Sequence, residues 1–441
     1  MKSFFHLLLS SWVSTSVFAS EPTFWDSSPH WNSQSTPEFQ SLGLGQDLGN
    51  IGTGILSKKT KTSSQSAPST VKVLPADLPN LVPDGSMSDF RLAVDRQLAR
   101  CAQLNARDVW YVDGRILSRK QWCTETGKAI IGILNRSADW ATYYQIAKTE
   151  LEWYKSIGRD QKGEVLYTGY YLPTLKAKRV ADATFKYPLY SHPADLVQTT
   201  VSGKLVWRRK LPDGKLVPYY KRSEIDGDGQ KPGALAGQGL EILYTDDLFA
   251  NFILQIQGSG IAEVTEKDGT RRTVSINYAA QNGHPYTSIG SYLKSQGVDP
   301  SYLTLQGMRR YFALYPGQLI QVLNVNESYV FFQESPVGPY GAAGTVIVPW
   351  HSIAVDLSQF PTGAYSMVQT QRPMKVVGDQ GTDWQPFLRM TVNQDTGGAI
   401  RGPGRVDIYW GGDAYAEIVA GQTAHTGSLY FAAAPETKKK P

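Results

Sequence analysis

Apolar and polar residues alternate strictly in a stretch near the C-terminal end of the chain. Val406, Ile408 and Trp410 are apolar, and polar or aromatic-polar residues stand between them in 405–410. A period of two is typical of a strand with one buried face. The pattern therefore predicts a strand whose open face carries Asp407 and lines a groove.

Short segments of this kind, separated by turn residues, predict that most of the chain beyond residue 163 is β structure. The expected strands are 164–171, 205–208, 217–220, 252–257, 272–278, 321–323 and 329–333, and then 345–349, 352–355, 364–369, 387–394, 405–410 and 427–431. A short helix is expected in 302–315. Prolines and glycines in 335–341 mark a boundary, and the strands after it suffice for a small barrel.

Two stretches before the β region have helical spacing instead. Apolar residues recur from Phe90 to Leu104, and again from Trp140 to Tyr154, where Gly158 is expected to end the pattern. We expect two helices whose apolar stripes face the core.

The N-terminal residues predict export. A mostly apolar run follows Lys2 and leads to Val17-Phe-Ala19, which fits a signal peptide over residues 1–19. Residues 20–85 are rich in Ser, Thr, Gln, Gly and Pro and are expected to form a flexible leader, and 436–441 a basic tail. No cysteine stands at the cleavage junction and no later stretch is long enough to span a membrane, so we expect a soluble protein without a lipid anchor.

The composition is compatible with a sugar-binding protein of two packed units. The chain has 441 residues, with 11 Trp, 24 Tyr and 41 Gly, and aromatic rings are suited to stacking on sugars although most must be core. The net charge of +5 is mild, and the basic residues are scattered rather than clustered. A nucleic-acid partner is therefore not expected.

The cysteines and histidines limit the other functional classes. Cys101 and Cys123 are the only cysteines; in an exported protein we favour a disulfide, with two buried free thiols as the alternative. The histidines are isolated from one another, so neither a metal site nor a cofactor is expected. The calcium-like opening at Asp226 lacks an acid at its twelfth position, which is Gly237, and is interpreted as a turn.

Two acids flank a glycine-rich turn. Asp395 precedes the turn and Asp407 follows it, and the glycines between them, from Gly397 to Gly404, allow the chain to return beside itself. Two acids in one cleft suggest sugar chemistry. The alternative is that Asp395 is an ordinary turn aspartate and Asp407 an ion-paired strand residue.

Five ordered motifs resemble those of the membrane-bound lytic murein transglycosylase A family. They are Thr168-Gly-Tyr-Tyr-Leu-Pro173, Gln257-Gly-Ser-Gly260, Asn282-Gly-His-Pro-Tyr286, Ser352-Ile-Ala-Val-Asp356 and Asp395-Thr-Gly-Gly-Ala-Ile-Arg-Gly402. The resemblance spans about 167–427. It implies a mainly β fold with helices, in which a double-psi β-barrel domain (86–169 and 334–435) and an inserted β-rich domain (170–333) flank a groove.

The same resemblance implies the roles of individual residues. Asp407 matches the catalytic acid/base, with Asp395 beside it. The expected substrate-binding residues are Tyr170, Gln257, Ser259, Asn282, Tyr286, Asp356 and Trp410. Leu172 and Gln255 depart from what many relatives carry, which puts local substrate contacts in doubt.

The reaction implied is cleavage of the MurNAc-β-1,4-GlcNAc bond of peptidoglycan with formation of 1,6-anhydroMurNAc ends. One carboxyl can serve twice, provided that its pKa is raised for the first step. The alternatives are a two-carboxylate glycoside hydrolase and a non-catalytic peptidoglycan-binding protein. We expect a monomer in the periplasm, associated with the outer membrane, whose partners are glycan strands, with other cell-wall enzymes as further candidates.

Overall fold

The computed structural model describes residues 68–202, 204–227, 231–378 and 380–436. The expected signal peptide (1–19), the leader up to residue 67 and the basic tail from residue 437 lie outside the described residues. Within the described ranges, no helix combines the length and the apolar content that crossing a bilayer requires.

The N-terminal part contains three helices and five strands. In chain order they are β1 (Thr70–Val73), α1 (Met87–Cys101), β2 (Val109–Val112), β3 (Arg115–Ser118), α2 (Thr126–Leu134), α3 (Trp140–Glu150), β4 (Glu152–Ser156) and β5 (Val165–Tyr170). The side chain of Ser86 accepts a hydrogen bond from the Asp89 amide, and that of Asp139 from the Thr142 amide. These caps fix where α1 and α3 begin, because they satisfy amides that have no partner within the helix.

The middle part alternates strands with short helices. Its elements are β6 (Thr174–Lys178), β7 (Tyr187–Tyr190), β8 (Leu196–Val201), β9 (Lys204–Lys210), β10 (Leu216–Val217), α4 (Arg222–Asp226), β11 (Glu241–Thr245), α5 (Leu248–Gln257), β12 (Ser259–Thr265), β13 (Arg271–Gln281), α6 (Ile289–Ser295), α7 (Leu305–Leu314), α8 (Leu319–Asn324) and β14 (Val330–Ser335). The C-terminal part adds β15 (Ser352–Ala354), β16 (Tyr365–Val377), β17 (Gln380–Asp395), β18 (Arg405–Tyr409), α9 (Ala414–Gln422) and β19 (Ala424–Ala433).

The main sheet closes on itself. Its strand order is β1-β4-β19-β16-β17-β15-β18-β5, and β19 also pairs with β5. The strands from β19 round to β5 therefore form a closed barrel of six strands in the described residues. The pairs β18–β5 and β15–β17 are parallel, whereas β15–β18 and β16–β17 are antiparallel.

The barrel is packed on both faces of its wall. The inner face contributes Val406, Ile408 and Phe431 to one apolar cluster, as expected from the period of two along each strand. The outer face contributes Met367 and Tyr430 to a second cluster, which α1, α2 and α3 cover. The three helices cover only part of the outer wall, and Asp407 lies on the part that they leave open.

A second sheet of six strands lies in the middle part, with the order β14-β13-β12-β6-β11-β7. The helices of this part join it to the barrel, because Phe252 of α5 and Leu293 of α6 belong to the same apolar cluster as Trp410 of the barrel. A three-stranded sheet, β10-β9-β8, and the hairpin β2-β3 complete the β structure. The predicted fold class, a β-barrel with a second β-rich unit, is confirmed.

Two predicted strands are helices instead. The segments 252–257 and 321–323 lie in α5 and α8. A short apolar run does not distinguish a strand from a buried helix by its periodicity. The cap by Asp247, whose side chain accepts from the Ala250 amide, and the left-handed Gly258 (φ 81°) delimit α5 as a helix.

Further segments also differ from the sequence-based expectations, among them the predicted strand 217–220, of which only Val217 lies in a strand, β10. Residues 70–73 are not flexible leader but strand β1, which pairs with β4. Helix α3 ends at Glu150, so that Tyr154 lies in β4. The segment 345–349 is no strand and contributes only an isolated bridge between Val346 and Tyr340. For residues 70–73 and Tyr154, pairing across the sheet, which local periodicity does not encode, decides the outcome.

Cys101 and Cys123 form a disulfide, with their Cα atoms 5.8 Å apart. Both residues are buried, and the bond ties the end of α1 to a turn of π-helix at Lys120–Glu125. The disulfide, which we favoured over two buried free thiols, is therefore confirmed.

We expect a thiol reagent to label the unfolded protein only after reduction, because both sulfur atoms are in the bridge. Loss of the bridge should lower the free energy of unfolding by about 3 kcal/mol, since it removes a constraint on the unfolded chain. Mass spectrometry after alkylation, with and without reductant, measures the first effect and urea titration the second. Labelling of unfolded, unreduced protein would contradict the bridge.

Candidate active site

Strand β15 brings the two acids of the glycine-rich stretch together. Its residue Ala354 is paired with Asp407 of β18 on one side and with Asp395 of β17 on the other. The two aspartates therefore flank one small residue on the barrel wall, with backbones about 10 Å apart if each strand spacing is about 5 Å. Ala354 itself is buried, with 4% of its surface exposed.

Asp407 has two close polar neighbours. Thr168 of β5, which is its register partner, donates a hydrogen bond from Oγ1 to Oδ1 of Asp407. The guanidinium Nε of Arg405, two residues earlier on the same face, lies 3.5 Å from the same oxygen. The carboxyl is thus held from two sides, and 21% of the side chain remains exposed.

Burial raises the pKa of Asp407 to about 6, because the charged form is poorly solvated in the wall. The Arg405 cation opposes this rise, and the negative charge of Asp395 adds to it. A carboxyl with a pKa near 6 exchanges its proton easily at neutral pH, which suits a group that must both give and take a proton.

Asp395 is surrounded by hydrogen-bond donors. Its Oδ1 accepts from the Ala342 amide at 3.0 Å and from the Thr396 amide at 2.9 Å, and its Oδ2 accepts from the Tyr170 hydroxyl at 2.9 Å. Burial raises its pKa, and these donors oppose the rise because they stabilise the ionised form. The carboxylate fastens the loop around Ala342 to the barrel wall.

Asp356 holds the loop that leads into β18. It is 8% exposed, its Oδ2 accepts from the Gly402 amide at 2.7 Å, and its Oδ1 accepts from the amide and the hydroxyl of Ser358. Both oxygens are therefore occupied within the protein. These contacts support a positioning role for Asp356, and its direct binding of substrate stays a prediction.

Tyr170 is the last residue of barrel strand β5, and Gln257 is the last residue of α5. The Tyr170 ring packs against Tyr409 with 5.2 Å between ring centres. Oε1 of Gln257 accepts from the Tyr171 amide at 3.2 Å. Ser259 begins β12, directly after Gly258, and is partly exposed. Both Tyr170 and Gln257 therefore already have protein partners in addition to any substrate role.

Two of the expected substrate-binding residues are buried. Asn282 is 1% exposed; its Nδ2 donates to the carbonyls of Tyr220 and Glu327, and its Oδ1 accepts from the Tyr329 amide. Trp410 is also 1% exposed and packs against Trp350 with 4.6 Å between ring centres. Neither side chain has a free face for a sugar in this structure, so the geometry supports a structural role for both.

In the described part of the chain, the remaining three sequence positions form no hydrogen bond or ion pair with either acid. Tyr286 is 46% exposed, but none of its contacts in the described residues reaches Asp407 or Asp395. Leu172 is buried in a small apolar cluster with Tyr409. Gln255 is buried in α5, where its Oε1 has no hydrogen-bond partner in the described part of the chain.

Sequence reasoning missed two contributors to the site. Thr168 could have been found, because the period of two places it on the same strand face as Tyr170. The Ala342 amide could not, because no side chain marks it and only the folded loop brings it to Asp395. The site therefore contains one carboxyl that exchanges a proton, that of Asp407, beside a second carboxyl, that of Asp395, which hydrogen bonds hold in place.

Within the described ranges, no group of acids, histidines and cysteines is arranged to hold a metal ion.

Two family models match the chain over most of its described length. They are the MltA specific insert domain, over residues 166–333, and the 3D domain, over residues 351–432. The first covers the second sheet and the second covers β15–β19. The matched ranges thus include every strand that carries a candidate site residue.

The sequence is similar to proteins named membrane-bound lytic murein transglycosylase A. It is 31% identical to the protein from Vibrio cholerae over 62% of this chain. The match spans 66% of that relative, which is just under two thirds of its length. It is also 31% identical to that of Escherichia coli over 62% of this chain and 67% of the relative.

The fold is similar to solved structures with related names. A membrane-bound lytic murein transglycosylase from Agrobacterium tumefaciens superposes with a TM-score of 0.66 at 25% identity, over 83% of this chain and 98% of the other. The structure of Escherichia coli MltA with bound chitohexaose superposes with a TM-score of 0.63 at 24% identity, over 85% and 97%. This second likeness concerns the fold alone.

Proposed function

Because the chain belongs to the membrane-bound lytic murein transglycosylase A family, we propose that it is a lyase that cleaves peptidoglycan glycan strands. The bond is MurNAc-β-1,4-GlcNAc and the product carries a 1,6-anhydroMurNAc end. The observation that carries the proposal is the carboxyl of Asp407, which lies on the open barrel wall with its pKa raised to about 6.

In the proposed mechanism one carboxyl acts twice. Protonated Asp407 first donates its proton to the glycosidic oxygen, so that the bond breaks and the sugar develops positive charge. The resulting carboxylate then accepts the proton of the C6 hydroxyl as that oxygen attacks C1 of the same sugar. The proton is returned to Asp407, the anhydro ring closes, and no water is consumed.

Neighbouring residues support each half of this cycle. The hydrogen bond from Thr168 and the cation of Arg405 fix the orientation of Asp407. They also stabilise the carboxylate that remains after the first proton transfer. Burial raises the pKa of Asp395, whereas its three donors favour the ionised form. In that form its negative charge favours the developing positive charge of the sugar.

The two alternatives are less well supported. A two-carboxylate hydrolase needs a second carboxylate that is free to activate water, whereas both oxygens of Asp395 already accept hydrogen bonds. A non-catalytic binding protein gives no reason for a carboxyl with a raised pKa on an open wall.

Mass spectrometry of the products from isolated peptidoglycan tests the proposal directly. We expect fragments whose MurNAc ends lack one water, and no incorporation of oxygen from ¹⁸O-labelled water. Reducing ends that carry ¹⁸O would instead establish the hydrolase, and binding to peptidoglycan without release of fragments would establish the binding protein.

Location, partners and domain division are part of the same proposal. The relatives are named membrane-bound, and together with the proposed peptidoglycan substrate this supports a location in the periplasm, near the outer membrane. Glycan strands are its partners there. We retain the division into a barrel domain (86–169 and 334–435) and an inserted domain (170–333).

The pH dependence of cleavage should report the environment of Asp407. We expect kcat/KM to fall about tenfold per pH unit above about pH 6, because the first step needs the protonated acid and the folded pKa is about 6. Arg405→Gln should move this limb to higher pH, since the Arg405 cation lowers the pKa of Asp407. Asp395→Asn should move the limb to lower pH, since the charge of Asp395 raises that pKa.

Initial rates between pH 4.5 and 8.5, roughly two units to each side of the relevant pKa, measure the limb. Asp246→Asn, which removes an exposed acid elsewhere, is the matched control and should leave it in place. Shifts of the two test variants in the same direction would contradict the assignment of the limb to Asp407.

A further inference from the structure

A pocket opens on the outer face of the barrel, on the part of the wall that α1, α2 and α3 leave open. Its volume is about 440 Å³, and its lining includes Lys155, Lys162 and Glu164 together with Gln369 and Thr426. None of these residues belongs to the candidate active site.

The pocket and Asp407 share one face of the barrel wall. On β5, Val165 and Tyr167 face the barrel interior, so Thr168 and, by the same alternation, Leu166 and Glu164 face outward. Thr168 is paired with Asp407, and Leu166 with Arg405 on one side and Thr426 on the other. The outward face therefore continues from the acid, past Arg405, to the pocket.

The distance between them follows from the strand geometry. Glu164 precedes Thr168 by four residues, which corresponds to about 13 Å along a strand. A group in the pocket is too far away to touch Asp407. It can nevertheless be part of a substrate whose cleaved bond lies at Asp407.

The pocket is lined by two lysines, Lys155 and Lys162, and by two acids, Asp160 and Glu164, and the acids differ from the lysines in having close partners. Glu164 is paired with Arg159, and Oδ1 of Asp160 accepts from the amides of Lys162 and Glu164 at 2.9 Å each. Among the described residues, by contrast, neither Lys155 nor Lys162 forms an ion pair. The ammonium of Lys155 lies 5.9 Å from the centre of the Tyr430 ring. Two ammonium groups thus remain available to an anionic ligand, while the acids are already engaged.

The chemistry of the lining favours a peptide over a sugar. Gln369, Gln371 and Thr426 supply amides and a hydroxyl, which pair well with peptide groups. The lining has no aromatic ring on which a sugar could stack. Carboxylates are the natural partners of the two lysines, and the short peptide that peptidoglycan carries on its MurNAc residues has free carboxylates.

We propose that this pocket binds the peptide substituent of the glycan strand, with Lys155 and Lys162 contacting its carboxylates. The inference rests on the proposed function and adds the recognition of a peptide-bearing substrate to it. An extended peptide of four residues spans at most about 14 Å. A peptide attached to a sugar bound at Asp407 therefore reaches the pocket.

Kinetics on two forms of one substrate test the inference. The first is glycan strands with their peptides, and the second is the same strands after an amidase has removed the peptides. We expect the wild-type protein to have a higher kcat/KM on the peptide-bearing strands. The ratio of the two values should fall about tenfold in Lys155→Gln/Lys162→Gln. It should stay unchanged in Lys128→Gln, which removes an exposed lysine of α2.

Direct binding provides the second measurement. Titration of the free carboxylate-bearing peptide, followed by isothermal calorimetry, should show saturable binding to the wild-type protein and to Lys128→Gln, and at least tenfold weaker binding to Lys162→Gln. This single variant changes an exposed turn residue and so tests the pocket without altering β4.

The outcomes separate the two proposals. An equal kcat/KM on both substrates for the wild-type protein, or an unchanged ratio in the double variant, would overturn the peptide pocket while leaving the lyase intact. An equal loss on both substrates in the double variant would mean that the pocket binds sugar, which also overturns it. Absence of anhydro products from both substrates would instead refute the proposed function.

Discussion

Replacing Asp407 by asparagine (Asp407→Asn) is expected to abolish glycan cleavage while the protein stays folded. The amide keeps the shape of the side chain, but it neither delivers a proton to the glycosidic oxygen nor accepts one from the C6 hydroxyl. General acid–base catalysis is typically worth about 10²–10⁴-fold. Since one residue carries both halves here, we expect a loss at or above the upper end, measured as the rate of anhydro product release.

Stability and binding are the controls for this variant. A raised pKa means that the ionised carboxyl is less favourable in the folded chain than in the unfolded chain. Any stability linked to this proton is therefore present at low pH and lost as the pH rises through about 6. The uncharged asparagine should not lower the melting temperature at pH 7, and the variant should still sediment with peptidoglycan.

The matched substitution Asp246→Asn, at an exposed position, should keep the wild-type rate. A folded Asp407→Asn protein that releases anhydro products at a near-normal rate would remove Asp407 from the mechanism. Asp395 would then be the next candidate, because it flanks the same residue, Ala354, on the other side.

The local pattern was sufficient for the strand that carries the acid. The alternation in 405–410 predicted both β18 and the outward direction of Asp407, because a single buried face imposes a period of two. The same rule, applied to β5, leads to Thr168. The sequence does not specify the register between strands. Nothing in the local pattern indicates that Ala354 lies opposite both acids, because the paired strands come from distant parts of the chain.

A helix was predicted as a strand in α5, where the five consecutive residues 251–255 are all buried. A short buried run of this kind does not reveal by its periodicity whether it is a strand or a helix. Asn282 and Trp410 show the related difficulty for function. An amide or an indole beside a family motif can equally contact substrate or hold the fold, and only the burial of the residue distinguishes the two roles.

Trp410 gives the sharpest test of that distinction. A sugar-stacking tryptophan on the surface would, when replaced by alanine, raise KM and leave stability nearly unchanged. The buried Trp410 packs against Trp350 and lies within the apolar cluster shared by the barrel and the helices of the middle part. We therefore expect Trp410→Ala to lower the free energy of unfolding by about 3–5 kcal/mol, as large-to-small changes in cores do.

Urea unfolding, followed by circular dichroism, measures this effect. Tyr111→Ala is the matched control, because it truncates an aromatic side chain that is exposed on the hairpin β2-β3, and it should change the free energy of unfolding by at most about 0.5 kcal/mol. Loss of activity in Trp410→Ala should parallel its unfolded fraction and recover at lower temperature. A variant with wild-type stability and a raised KM would instead place the Trp410 ring against the glycan, and would mean that the wall around β18 opens when substrate binds.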